Sequence, residues 1–116
     1  MTQAGAQVDY LKRILDVSDS MLAALISVTS QRLALWVDGK DQENQKFPRL
    51  QTLYTAVDIA IRRGIPSDLI INMLQTPVNG NEDTDVSLLY LITESPTQNL
   101  IHDDSLWYLE FLNRFK

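Results

Sequence analysis

Residues 8–37 read VDYLKRILDVSDSMLAALISVTSQRLALWV, and the fold turns on how this stretch is divided. On a helical wheel turning about 100° per residue, with Ile14 at the origin, Leu11, Leu15, Leu22, Leu25, Ile26, Leu33 and Trp36 share one half. Met21, Val28 and Leu35 lie on the same half, while Asp9, Lys12, Arg13, Asp16, Ser20, Ser27 and Gln31 occupy the other. The phase is kept across Asp16-Val17-Ser18-Asp19-Ser20, where a break would be expected to scramble it. The pattern therefore predicts one helix from about Val8 to Val37, roughly 45 Å long at 1.5 Å per residue, with Gly39 placed to end it.

The apolar arc of such a rod is about 180° wide, against the ~100° stripe needed to face one core. Ile14, Met21, Val28 and Leu35 would line its outer edge, with Arg32 inside the arc beside Trp36. These six residues are the candidate partner-binding surface. A buried, unpaired Arg32 would cost several kcal/mol, so its stem packs while its head reaches water, or it meets a partner's carboxylate.

Outward from this stretch, helix signals dominate and no internal repeat is read. Pro48 opens a second helix with apolar Leu50, Leu53, Tyr54, Val57 and Ile61, closed before Gly64. Ser67 is placed to cap a third, which stops before Pro77. Residues 86–94 are apolar nearly all round and fit either a fourth helix or a buried strand. A last helix, from Asp104 to Phe115, carries acids at its start and Arg114 and Lys116 at its end. Segments 38–46, 76–83 and 94–104 hold the turn formers. The expected fold class is all-α: a small bundle of about five helices built on one long N-terminal helix. It occupies residues 1–116 as a single domain, with 1–6 as a disordered lead-in.

The chain has 116 residues, 45% hydrophobic and 22% charged, enough to form a core without cross-links. The absence of cysteine removes disulfides, thiolate chemistry and Cys-ligated zinc, and fits a cytoplasmic protein. The first seven residues lack the basic and apolar blocks of a secretory signal. The longest uncharged apolar-leaning run, residues 20–31, is well short of the ~18–20 residues that span a membrane. A net charge of −5 opposes binding to phosphate backbones.

Three constellations bear on chemistry. His102 beside Asp103 and Asp104 could serve a small enzyme, but no nucleophile elbow or glycine-rich oxyanion loop accompanies it. Asn79, Asn81, Asp83 and Asp85 alternate like the start of a calcium loop. Thr84 and Tyr90 then stand where that loop requires glycine and glutamate. Ala60, Gly64, Ile65, Ile70 and Met73 have the spacing of a helix-turn-helix within residues 50–75, the mark of a transcriptional regulator. Its second helix, however, offers no Arg or Lys to phosphate or base. Trp107, Tyr108, Phe111, Leu112 and Phe115 form an aromatic stripe suited to a closing core helix. The residues thus point away from catalysis, metal and cofactor. They favour a protein–protein interaction module with a protein partner (an adaptor, inhibitor, immunity factor or chaperone). That reading extends to a homodimer through the first helix.

Overall fold

The computed structural model describes residues 2–78, 86–94, 101, 103 and 105–116. Among them the chain forms seven α-helices: α1 (Gln3–Leu15), α2 (Asp19–Leu25), α3 (Ser30–Val37), α4 (Phe47–Arg62), α5 (Ile70–Gln75), α6 (Leu88–Glu94) and α7 (Leu106–Leu112). Short 3-10 turns, Ser67–Leu69 and Asn113–Phe115, precede α5 and follow α7. The described residues contain no strand, only an isolated antiparallel bridge between Pro77 and Ser87. The all-α class is therefore correct, and residues 88–94 resolve as helix.

The single N-terminal rod is not what forms. Residues 3–37 make three helices, and the axes of α2 and α3 differ by 103°. Two left-handed residues cause the breaks: Asp16 at φ 55 and Ser27 at φ 55. At the first, Val17 N–H reaches back to Lys12 O at 3.2 Å. At the second, Val28 N–H bonds Ala23 O at 3.0 Å and Ser27 N–H bonds Ala24 O at 3.1 Å. These backward bonds satisfy carbonyls that a helix end leaves orphaned. The next helix restarts at once under a hydroxyl cap. Ser18 Oγ accepts from Met21 N–H, and Thr29 Oγ1 accepts from Arg32 N–H at 3.1 Å.

The wheel missed this because the stretch is a tandem repeat, contrary to the reading that none is present. Residues 16–26, DVSDSMLAALI, align with residues 27–37, SVTSQRLALWV. Each unit supplies the left-handed residue, a valine, a hydroxyl cap and the same Leu-Ala pair. The unit is eleven residues long, close to three full turns of an α-helix. Its buried leucines, Leu22 and Leu33, consequently stay in phase with Leu11, as if the helix had never stopped.

The lead-in is also ordered from Thr2. Thr2 Oγ1 accepts from Gly5 N–H at 2.9 Å, and its hydroxyl donates to Val37 O, tying the start of α1 to the end of α3. Thr2 thus caps α1 and residues 3–6 form its first turn, while Met1 lies outside the described residues.

Helix α4 runs through the middle. Leu50, Leu53, Ala56, Val57 and Ala60 are fully buried along it, and α1 and α6 pack on its sides. Small Ala56 leaves room for Tyr108 of α7, whose hydroxyl donates to Ala56 O. Gly64 at φ 94 ends α4 as expected, with Ile65 N–H bonded to Ala60 O at 3.0 Å. Buried side chains from all seven helices form one core. Arg49, on α4, reaches α2: its Nη1 donates to Ile26 O at 3.0 Å and to Ser27 O at 3.2 Å. No single helix among the described residues is long and apolar enough to cross a membrane.

Candidate functional site

Breaking the rod scatters the six residues expected on one edge. Trp36 is fully buried, donates Nε1–H to Asp41 O at 3.0 Å and meets Phe47 edge-on at 5.3 Å. It belongs to the core and is withdrawn from the surface set. Arg32 pairs with Asp41, so the carboxylate that answers it comes from its own chain. Ile14 and Val28 are half-buried against the core. Only Met21 and Leu35 stay outward, at 55% and 37% exposure, on helices whose axes diverge.

Met21 lies on an apolar groove. Residues Val17, Met21, Ala24 and Leu25 form one wall, and Ile71, Gln75 and Leu89 the other, around about 380 Å³. The groove exists because α2 is short and turns away after Ser27, leaving its outer face beside α5 and α6. Gln75 is the single polar side chain in its lining. The sequence pattern puts Met21 on an outer edge, where it is indeed exposed, but gives no sign of Ile71 and Leu89, since only packing brings α5 and α6 to α2.

A second hollow, of about 470 Å³, opens beside the start of α1 and α4. Gln3, Gln7, Gln51, Thr52 and Thr55 line it with Tyr54 and Ile101. Gln7 is buried with its Oε1 unpartnered. These amides and hydroxyls can hydrogen-bond, and no carboxylate, imidazole or amine lines the cleft among the described residues.

Around it, Tyr10 meets Tyr54 edge-on at 5.3 Å and its hydroxyl faces Asp58 Oδ1 at 3.4 Å. Burial, then the Asp58 charge, holds the Tyr10 phenol above its ordinary range. Arg62 bridges Asp103 at 2.8 Å and Asp58 at 3.0 Å. Asp103 of the His102-Asp103-Asp104 trio is one of these two anions, while His102 and Asp104 lie outside the described residues. The calcium-like Asn79, Asn81, Asp83 and Asp85 lie outside them too. No cluster of three or more potential metal ligands occurs among the described residues.

The helix-turn-helix spacing does fold as a hairpin. Ala60, Ile65, Ile70 and Met73 are all buried where α4 turns through Gly64 into the 3-10 turn and α5. Its outer surface presents Pro66, Ser67, Asp68 and Asn72, and residues 65–76 carry no Lys or Arg. A six-residue α5 is also shorter than two full turns, little to lay in a groove of DNA. The chain matches no known family model, no curated protein and no solved structure.

Proposed function

We propose that this chain is a non-catalytic protein-interaction module that receives apolar side chains of a protein partner in the groove around Met21. One observation carries the reading: a large apolar side chain, 55% exposed, stands on an apolar floor shared by three helices. Covering a methionine of this kind is worth about 1.5–3 kcal/mol when complete, and roughly half of that is still available at Met21. Apolar hollows with large anchors at their centre are where binding energy concentrates.

The width of the apolar arc no longer supports association, because the rod it described is absent. The groove replaces it. Operator binding gains nothing from a hairpin whose residues 65–76 carry no cation. A cytoplasmic setting fits a chain without cysteine.

The test is Met21→Glu in the tagged full chain, with Leu106→Glu as a control at an exposed leucine outside the groove. Protein recovered by wild type and by the control, and lost with Met21→Glu at unchanged helicity, supports the reading. Recovery identical for all three would sink it.

A further inference from the structure

We infer that two copies of this chain exchange α1, each straightening at Asp16 so that its α1 and α2 run on as one helix. The inference does not depend on the groove around Met21.

Helical phase is the first support. Leu11 and Leu15 before the break and Leu22 after it are all buried, and their spacing puts them on one face of an uninterrupted helix. A helix over residues 3–25, about 35 Å long, therefore keeps a single apolar face. Backbone strain is the second. Asp16 holds φ 55 and ψ 53, left-handed backbone that a residue with a Cβ adopts at a cost. Straightening removes that cost and carries the hydrogen bonds of α1 on through residues 16–18.

The two breaks in residues 3–37 are not equally held. At Ser27, Arg49 of α4 donates to Ile26 O and Ser27 O, carbonyls that a continuous helix would need for its own amides. Among the described residues, the side-chain link across the Asp16 break is the ion pair of Lys12 with Asp19 at 3.0 Å. A pair as exposed as this adds little. Asp16 is thus the hinge.

The same geometry selects the partner. A lone copy that straightened would lift α1 from its seat on α3 and α4 and expose Val8, Leu11 and Leu15. The vacated seat is already shaped to α1, and the α1 of a second copy restores each of those contacts, with the Thr2 bond to Val37 O re-formed between copies. Reciprocal exchange closes as a two-fold dimer, and short strained connections favour it.

The test anneals the full chain at high concentration by slow removal of urea, dilutes it and reads its mass by light scattering. Wild type is compared with Asp16→Ala and Ser18→Ala, which favour the continuous helix, and with Asp16→Gly, which favours the break. Residues 16 and 18 are exposed, so the core is untouched, and Ser18→Ala decides the matter if Asp16→Ala fails to fold. Both alanine variants should dimerise more readily than wild type, and Asp16→Gly less. The dissociation constants of Asp16→Ala and Asp16→Gly should differ by roughly a hundredfold or more, since both copies carry the change. The dimers should outlast dilution and mix with tagged chain only on re-annealing, because exchange requires α1 to unseat. Adding Met21→Glu to Asp16→Ala should leave them intact. Monomers throughout, or equal dimerisation by alanine and glycine at residue 16, overturn the inference. So do dimers that part promptly on dilution. Dispersal by Met21→Glu overturns it as well and seats the second copy in the groove.

Discussion

Replacing Ser27 by glycine and by alanine separates a broken N-terminal segment from a continuous one by the sign of a stability difference. Ser27 is exposed and sits at φ 55 between α2 and α3, and it serves Arg49 only through its carbonyl, which either substitution keeps. In left-handed backbone a Cβ costs about 1–2 kcal/mol. Glycine avoids that and gives back about 0.4–1 kcal/mol through its freer unfolded chain. Ser27→Gly should therefore be more stable than Ser27→Ala by about 1 kcal/mol. Inside an uninterrupted helix the order reverses, with alanine ahead by about 1 kcal/mol. The two architectures thus differ by about 2 kcal/mol at this one position. Urea titration followed by far-ultraviolet circular dichroism resolves that gap easily, and the companion shift in Tm is roughly 3–6 °C per kcal/mol for a domain of this size. A Ser27→Ala protein more stable than Ser27→Gly would refute the break.

The cap of α3 gives an independent check: Thr29→Ala should cost about 1 kcal/mol and Thr29→Ser much less, read by the same titration. Tyr108→Phe removes the buried donor to Ala56 O and should cost about 1 kcal/mol at neutral pH. Burial holds the Tyr108 phenol above its ordinary value of 10.0, so its share of stability is complete below that pH. As pH rises further the unfolded chain ionises first, and stability should fall by up to about 1.4 kcal/mol per pH unit for this group. In Tyr108→Phe that component of the alkaline loss should disappear, with tyrosinate absorbance marking which phenols titrate before unfolding. Met21→Glu gives up only the half of the side chain already covered, about 1 kcal/mol, so the fold should persist, and unchanged helicity in the binding assay shows that a loss of binding is not a loss of fold.

Residues 48–77 are legible because their punctuation is glycine and proline. Pro48 sits in the first turn of α4, Gly64 ends it, and Pro77 follows α5. The first third uses the same stop at Asp16 and Ser27, residues that adopt left-handed backbone at a cost and so do not announce it. One signal was present. Val17-Ser18 and Leu22, like Val28-Thr29 and Leu33, have the spacing of a hydroxyl cap with an apolar staple across the first turn. An eleven-residue period hid it, since wheel analysis cannot tell three turns of helix from a short helix plus a turn of equal length. The groove was half legible for a different reason. Met21 belongs to local periodicity, whereas Ile71 and Leu89 reach it only through tertiary packing.

The grip of Arg49 on the end of α2 has a consequence for how the molecule comes apart. Helix α2 is seven residues long, too brief to persist in water by itself, and its terminal carbonyls are answered from a helix more than twenty positions away. Its amides should accordingly exchange with solvent deuterium in step with those of α4, as one opening unit. Severing that guanidinium link, by Arg49→Met, should let α2 open on its own while the protected amides of α4 keep their slow exchange.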